Sequence, residues 1–183
     1  MEVVPFQELY NREFIITEPL IKGQNWYTRK NFYSCIGKPK PSHTFLWFKN
    51  CNAKITNSNG KVLVAEKNQI AFMSKGIEYT VEFFDTAPNQ TDTVVFHFQL
   101  TDTKNEQITP TLSPEICIKS VGVELALAID NAADEPIIAH TSGEQSCSTD
   151  NTKQSITTSF LKSFGNNGLI GLSIALETNI ALS

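Results

Sequence analysis

A mainly β fold, a small sandwich or barrel of short strands followed by C-terminal helices, is what this 183-residue sequence predicts. Two observations carry that expectation. Between residues 25 and 120, short apolar runs recur at regular spacing, and the breaks between them hold Gly, Pro, Asn and Ser. After residue 120 the chain turns to Ala- and Leu-rich stretches that suit helix better than strand.

The elements follow in order. Residues 1–24 form a leader whose "EFIITEPLI", Glu13 to Ile21, makes a plausible strand; Pro19 within it restricts that strand to an edge. "NFYSCI" reads as the next strand, and "GKPKP" ends it, because Gly37, Pro39 and Pro41 cannot continue a ladder. Strands are then expected over His43–Lys49, Ala53–Asn57, Lys61–Glu66, Ile70–Met73 and Glu78–Phe84. Asn59-Gly60 is the dipeptide of a two-residue type I′ turn. "KNQIAFMSKGIEYTVEFF", with Ser74-Lys75-Gly76 at its break, has the shape of a hairpin. Thr91–Leu100 and Glu115–Ser120 complete the strands. "VGVELALAIDNAADE" is expected to be helical, residues 141–155 a polar loop, and "SITTSFLKSF" and the apolar tail two further helices. The tail is a candidate dimer contact.

Composition narrows the function. The net charge is −4 and the pI about 5.4, so the chain has no general electrostatic pull on nucleic acid. No apolar leader opens the sequence and no run approaches a membrane span, so a cytoplasmic protein is expected. Cys35, Cys51, Cys117 and Cys147 are widely spaced with no C-x-x-C, which fits reduced, buried thiols. His43, His97 and His140 stand apart, with no H-x-H, so no metal site or cofactor is expected. G-x-S-x-G, P-loop and G-x-G-x-x-G motifs are absent too, and no catalytic residue is assigned.

What stands out is the aromatic content of the expected strands. Alternation puts Phe45 and Trp47 on one face, with Cys51 further along, and groups Tyr79, Val81 and Phe83, and Phe96 with Phe98. Such residues fill a core or line an apolar pocket with a few convergent polar groups. The candidate ligand-binding set is His43, Phe45, Trp47, Phe72, Tyr79, Phe96 and His97. Which strand face points inward is left open, because a slip of one residue inverts it.

The segment "KPSHTFLWFKNCNAKITNSNGKVLVAEKNQIAFMSKGIEYTVEFF" resembles the N-terminal sensor domain of AraC-type transcriptional regulators. Asn59-Gly60-Lys61 matches the family's first turn, and "KNQIAFMSKGIEYTV" its second phrase, with Asn68-Gln69 where Gly-Asp is common and Ser74-Lys75-Gly76 where Pro-x-Gly is common. The resemblance spans residues 25–120. It implies a cupin-like jelly-roll barrel followed by C-terminal α-helices: a sensor domain over residues 1–120 with an N-terminal arm (1–24), and a helical dimerisation segment over 121–183. It further implies a homodimer that binds a small effector, such as a sugar or other metabolite, and signals to a helix-turn-helix DNA-binding domain not found in this sequence. Residues 1–24 are the part expected to reorder over the pocket. The alternatives are a metal-dependent cupin enzyme, an isomerase or dioxygenase, and a carbohydrate-binding jelly roll.

Overall fold

A computed structural model describes residues 2–5, 8, 13–111 and 116–120 of the chain. Its strands are β1 (Glu2–Pro5), β2 (Ile15–Gln24), β3 (Phe32–Ser34), β4 (His43–Phe48), β5 (Asn52–Asn57), β6 (Val62–Ala65), β7 (Gln69–Met73), β8 (Tyr79–Phe84), β9 (Thr93–Thr101), β10 (Ile108–Thr111) and β11 (Ile116–Ser120). A single turn of 3₁₀ helix, Tyr27–Arg29, follows β2. The helices expected after residue 120, with His140 and Cys147, lie outside the described residues.

The strands form a five-stranded sheet in the order β11-β7-β4-β9-β2, a four-stranded sheet in the order β3-β8-β5-β6, and a two-stranded ribbon, β1-β10. The larger sheets face one another across a shared core. Leu46, Phe48, Ala71, Met73 and Val95 come from the first, and Ala53, Ile55, Ala65, Val81 and Phe83 from the second. Alternation along each strand creates that inner face, since every second side chain points into the gap.

The five-stranded sheet is buried on its other face as well, which is why β4 reads "HTFLWF" with every position buried. There the register sets Phe45 opposite Phe72 and Phe96, and His43 opposite Phe98. The rings pack at centroid distances of 5.0 Å (Phe45–Phe72), 5.6 Å (Phe45–Phe98) and 5.6 Å (His43–Phe98). The β1-β10 ribbon docks at the edge of this layer, where the Ser74 hydroxyl donates to the Pro110 carbonyl at 2.8 Å.

Several expectations change in the structure. β7 and β8 are not a hairpin: β7 pairs with β4 and β11, and β8 with β3 and β5, so Ser74-Lys75-Gly76 arches from one sheet to the other. Gly76, at φ +88°, supplies the left-handed residue the arch requires. The β5–β6 turn is not type I′, since Gly60 has φ +81° but Asn59 is not left-handed. Asn57 N–H instead donates to the Lys61 carbonyl at 3.1 Å, leaving a loop of residues 58–60. Cys51 does not continue the Phe45–Trp47 face but joins the inter-sheet core, because the chain bends at Lys49-Asn50 and alternation resets. β2 is an edge strand, with its register broken between Thr17 and Leu20, around Pro19.

Candidate functional site

Between the two large sheets lies a cavity of about 220 Å³. Its apolar lining comes from Trp26, Tyr33, Leu46, Tyr79, Val81, Phe83 and Val95, and its polar lining from Gln24, Arg29, Lys40, Thr44 and His97. Among the described residues, no carboxylate lines it. An outer groove of about 650 Å³ shares Tyr33, Lys40 and His97 with the cavity and adds Glu18, Lys38, Ser42 and Gln99.

The aromatic wall is built on Trp26. Its indole stacks on Phe83, with centroids 4.2 Å apart and planes inclined by 10°, and meets Tyr33 edge-on at 6.0 Å. Hydrogen bonds pin it at both ends: the backbone N–H donates to Asp92 Oδ2 at 2.5 Å, and the indole N–H to Thr93 Oγ1 at 2.7 Å. Asp92 is itself fully buried and accepts from Gln90 Nε2 at 2.6 Å, so the carboxylate's cost of burial is met by charge-assisted bonds.

Lys40 is presented by its backbone. Pro39 and Pro41 restrict the chain on either side of it. Lys40 N–H donates to the Ile77 carbonyl at 3.2 Å, and its own carbonyl accepts from Gly76 N–H at 2.8 Å. The "GKPKP" stretch is therefore a bracket clamped onto the β7–β8 arch. It carries the ammonium to 4.8 Å from the Tyr33 ring centroid and 5.9 Å from that of Tyr79. Burial lowers the Lys40 pKa, because desolvation penalises its charge. Arg29 lies across the Trp26 ring at 5.4 Å. Among the described residues, neither cation has a carboxylate partner.

His97 stands where cavity and groove meet. Its Nδ1 lies 3.0 Å from Thr44 Oγ1 and 3.4 Å from Ser42 Oγ. Burial, reinforced by the nearby Lys40 charge, lowers its pKa to about 4, so the imidazole is neutral at pH 7. Burial also raises the Tyr33 pKa, and raises that of Tyr79 well above the usual phenol value, so both stay protonated.

Of the residues marked from the sequence, the structure brings only Tyr79 and His97 to this cavity. His43, Phe45, Trp47, Phe72 and Phe96 lie on the opposite face of the five-stranded sheet. His43 is fully buried there, accepting from Lys75 N–H at Nδ1 (3.0 Å) and donating from Nε2 to the Ile108 carbonyl (3.3 Å). Of the described residues among 1–24, Glu2–Pro5 (β1) pair with β10, and Ile15–Gln24 (β2) extend the five-stranded sheet to end at Gln24 in the cavity wall. Arg29 and Lys40, which also line the cavity, belong to no motif; the one local signal for Lys40 is its place between Pro39 and Pro41. Among the described residues, no His, Cys, Asp and Glu side chains gather to hold a metal ion. No helix among them is long and apolar enough to cross a membrane.

No known family model and no curated protein matches the sequence. Solved structures do share some of its shape. A variant of apo ToxT from Vibrio cholerae aligns with a TM-score of 0.41 and 8% identity, over 80% of this chain and 54% of that one. Wild-type ToxT from Vibrio cholerae bound to an unsaturated fatty acid aligns with 0.36 and 9%, over 82% and 52%. A DUF861 family protein from Thermotoga maritima aligns with 0.24 and 12%, over 49% and 78%. The chain spans about half the length of the ToxT structures.

Proposed function

We propose that this chain is the effector-binding part of an AraC-type transcriptional regulator, a binding domain rather than an enzyme, and that its effector is a small organic anion held in the inter-sheet cavity. The resemblance over residues 25–120 supports the regulator class. One observation carries the ligand class: Arg29 and Lys40 line an aromatic-walled cavity to which no carboxylate contributes among the described residues. A carboxylate in that low-dielectric space would form charge-assisted bonds stronger than those between neutral groups. Its apolar remainder would lie against Trp26, Tyr33, Tyr79 and Phe83, giving the mostly apolar site with few convergent polar groups that small ligands use. A neutral sugar would leave the half-buried Lys40 ammonium uncompensated.

Binding would bias the domain between arrangements and pass that bias to a DNA-binding partner domain. Homodimerisation belongs to the same proposal. A thermal-shift comparison tests the ligand class. Octanoate and benzoate are expected to raise the melting temperature and arabinose to leave it unchanged, with the octanoate shift lost in Lys40→Met. Stabilisation by arabinose alone, or an octanoate shift that survives Lys40→Met and Arg29→Met together, would contradict it.

A further inference from the structure

His43 and His97 share one property and differ in another. Burial lowers the pKa of each to about 4. The partners of His43, however, accept only one protonation state. Nδ1 faces the backbone N–H of Lys75, a donor that cannot become an acceptor, and Nε2–H is spent on the Ile108 carbonyl. Protonating His43 would set two donors against each other in the core. Nδ1 of His97 instead faces the hydroxyls of Thr44 and Ser42. A hydroxyl donates or accepts by rotating, so this nitrogen is satisfied whether or not it carries a proton. The partners of His43 fit only its neutral form, whereas those of His97 fit both forms.

What opposes a proton on His97 is desolvation and the charge of Lys40. Among the described residues, the charged and titratable side chains that line the two spaces His97 adjoins are Glu18, Arg29, Tyr33, Lys38, Lys40 and Tyr79. The tyrosines stay neutral, and the cations outnumber the single carboxylate, which lies on the groove side. An anion bound at Lys40 offsets the ammonium and adds a negative charge beside the imidazole. Both changes favour imidazolium.

We infer that His97 binds the anionic group of the effector as an imidazolium, so that effector and proton enter the site together. This rests on the small-anion reading of the cavity. A proton taken up with the ligand makes affinity rise as pH falls, by at most about tenfold per pH unit. The carboxylate of octanoate titrates as an ordinary carboxyl group, below the pH range in question.

The test is calorimetric titration of the full chain with octanoate at pH 6, 7 and 8, in buffers of differing ionisation enthalpy. The expected result is about tenfold tighter binding at pH 6 than at pH 8, with measurable proton uptake. His97→Gln is expected to lose the pH dependence, its affinity at pH 6 matching its affinity at pH 8. In the wild type, the imidazole ¹⁵N signals of His97 are expected to turn to the imidazolium pattern on octanoate addition at pH 6.5, a readout that holds even if the variant fails to fold. Binding that depends on Lys40 but not on pH would overturn the proton coupling alone. So would a slope that persists in His97→Gln, which would assign the proton to Lys40. No octanoate binding at any pH would remove the small-anion reading and this inference with it.

Discussion

His43 shows how one buried side chain ties stability to pH. In the unfolded chain its imidazole gains a proton below about pH 6.5; in the folded protein it does so only near pH 4. Between those values the unfolded state binds more protons, so stability falls as pH falls and levels off below about 4. The His43 share of that loss is about 3 kcal/mol. Urea denaturation at pH 7.5 and 4.5 is expected to show a steep loss in the wild type and a shallower one in His43→Gln, which has no titrating ring. Trp26 is the other residue on which much depends. Trp26→Ala removes the Phe83 stack and the bond to Thr93, and is expected to cost about 3–5 kcal/mol in the same assay. Cys51, buried beside Asp92, has its thiol pushed up to about 12 and is expected to resist alkylation until the protein unfolds.

The strands and their breaks show what the sequence makes legible. Alternating runs such as "YTVEFF" and turn residues such as Asn68, at φ +66°, marked most elements within a few residues. β1 and β10 went unmarked: each is four residues long and carries a proline, Pro5 and Pro110, and they pair with each other at a distance in sequence. Pairing was less legible than existence. The same Ser-Lys-Gly phrase serves a hairpin or an arch, and only packing of both sheets selects the arch, through the Gly76–Lys40 and Lys40–Ile77 bonds. The inward face was illegible on β4 for a related reason. Both of its faces are buried, so "HTFLWF" lacks the polar alternation that reveals which side meets the pocket. That ambiguity separated five of the marked residues from the cavity. At the β5–β6 loop, Gly60 has open space around a would-be Cβ, so Gly60→Ala is expected to cost only the backbone penalty of about 1–2 kcal/mol, read as a shift in urea midpoint.

Taken as a whole, the molecule places a positive cavity inside a chain of net charge −4. The long-range field therefore gives an anion no help, and affinity must come from short-range contacts, of which salt screens half-buried Lys40 less than exposed Arg29. Octanoate affinity in Arg29→Met, which rests on Lys40, is accordingly expected to change little between low and physiological ionic strength. The chain has two tryptophans, and they report on opposite faces of the five-stranded sheet: Trp26 lines the inter-sheet cavity, whereas Trp47 packs beyond it and donates its indole N–H to Asn68. A ¹H–¹⁵N correlation spectrum with and without octanoate therefore locates the ligand directly. Movement of the Trp26 indole signal with the Trp47 signal unchanged is the expected result; movement of Trp47 alone would place the ligand on the other face and contradict the cavity assignment.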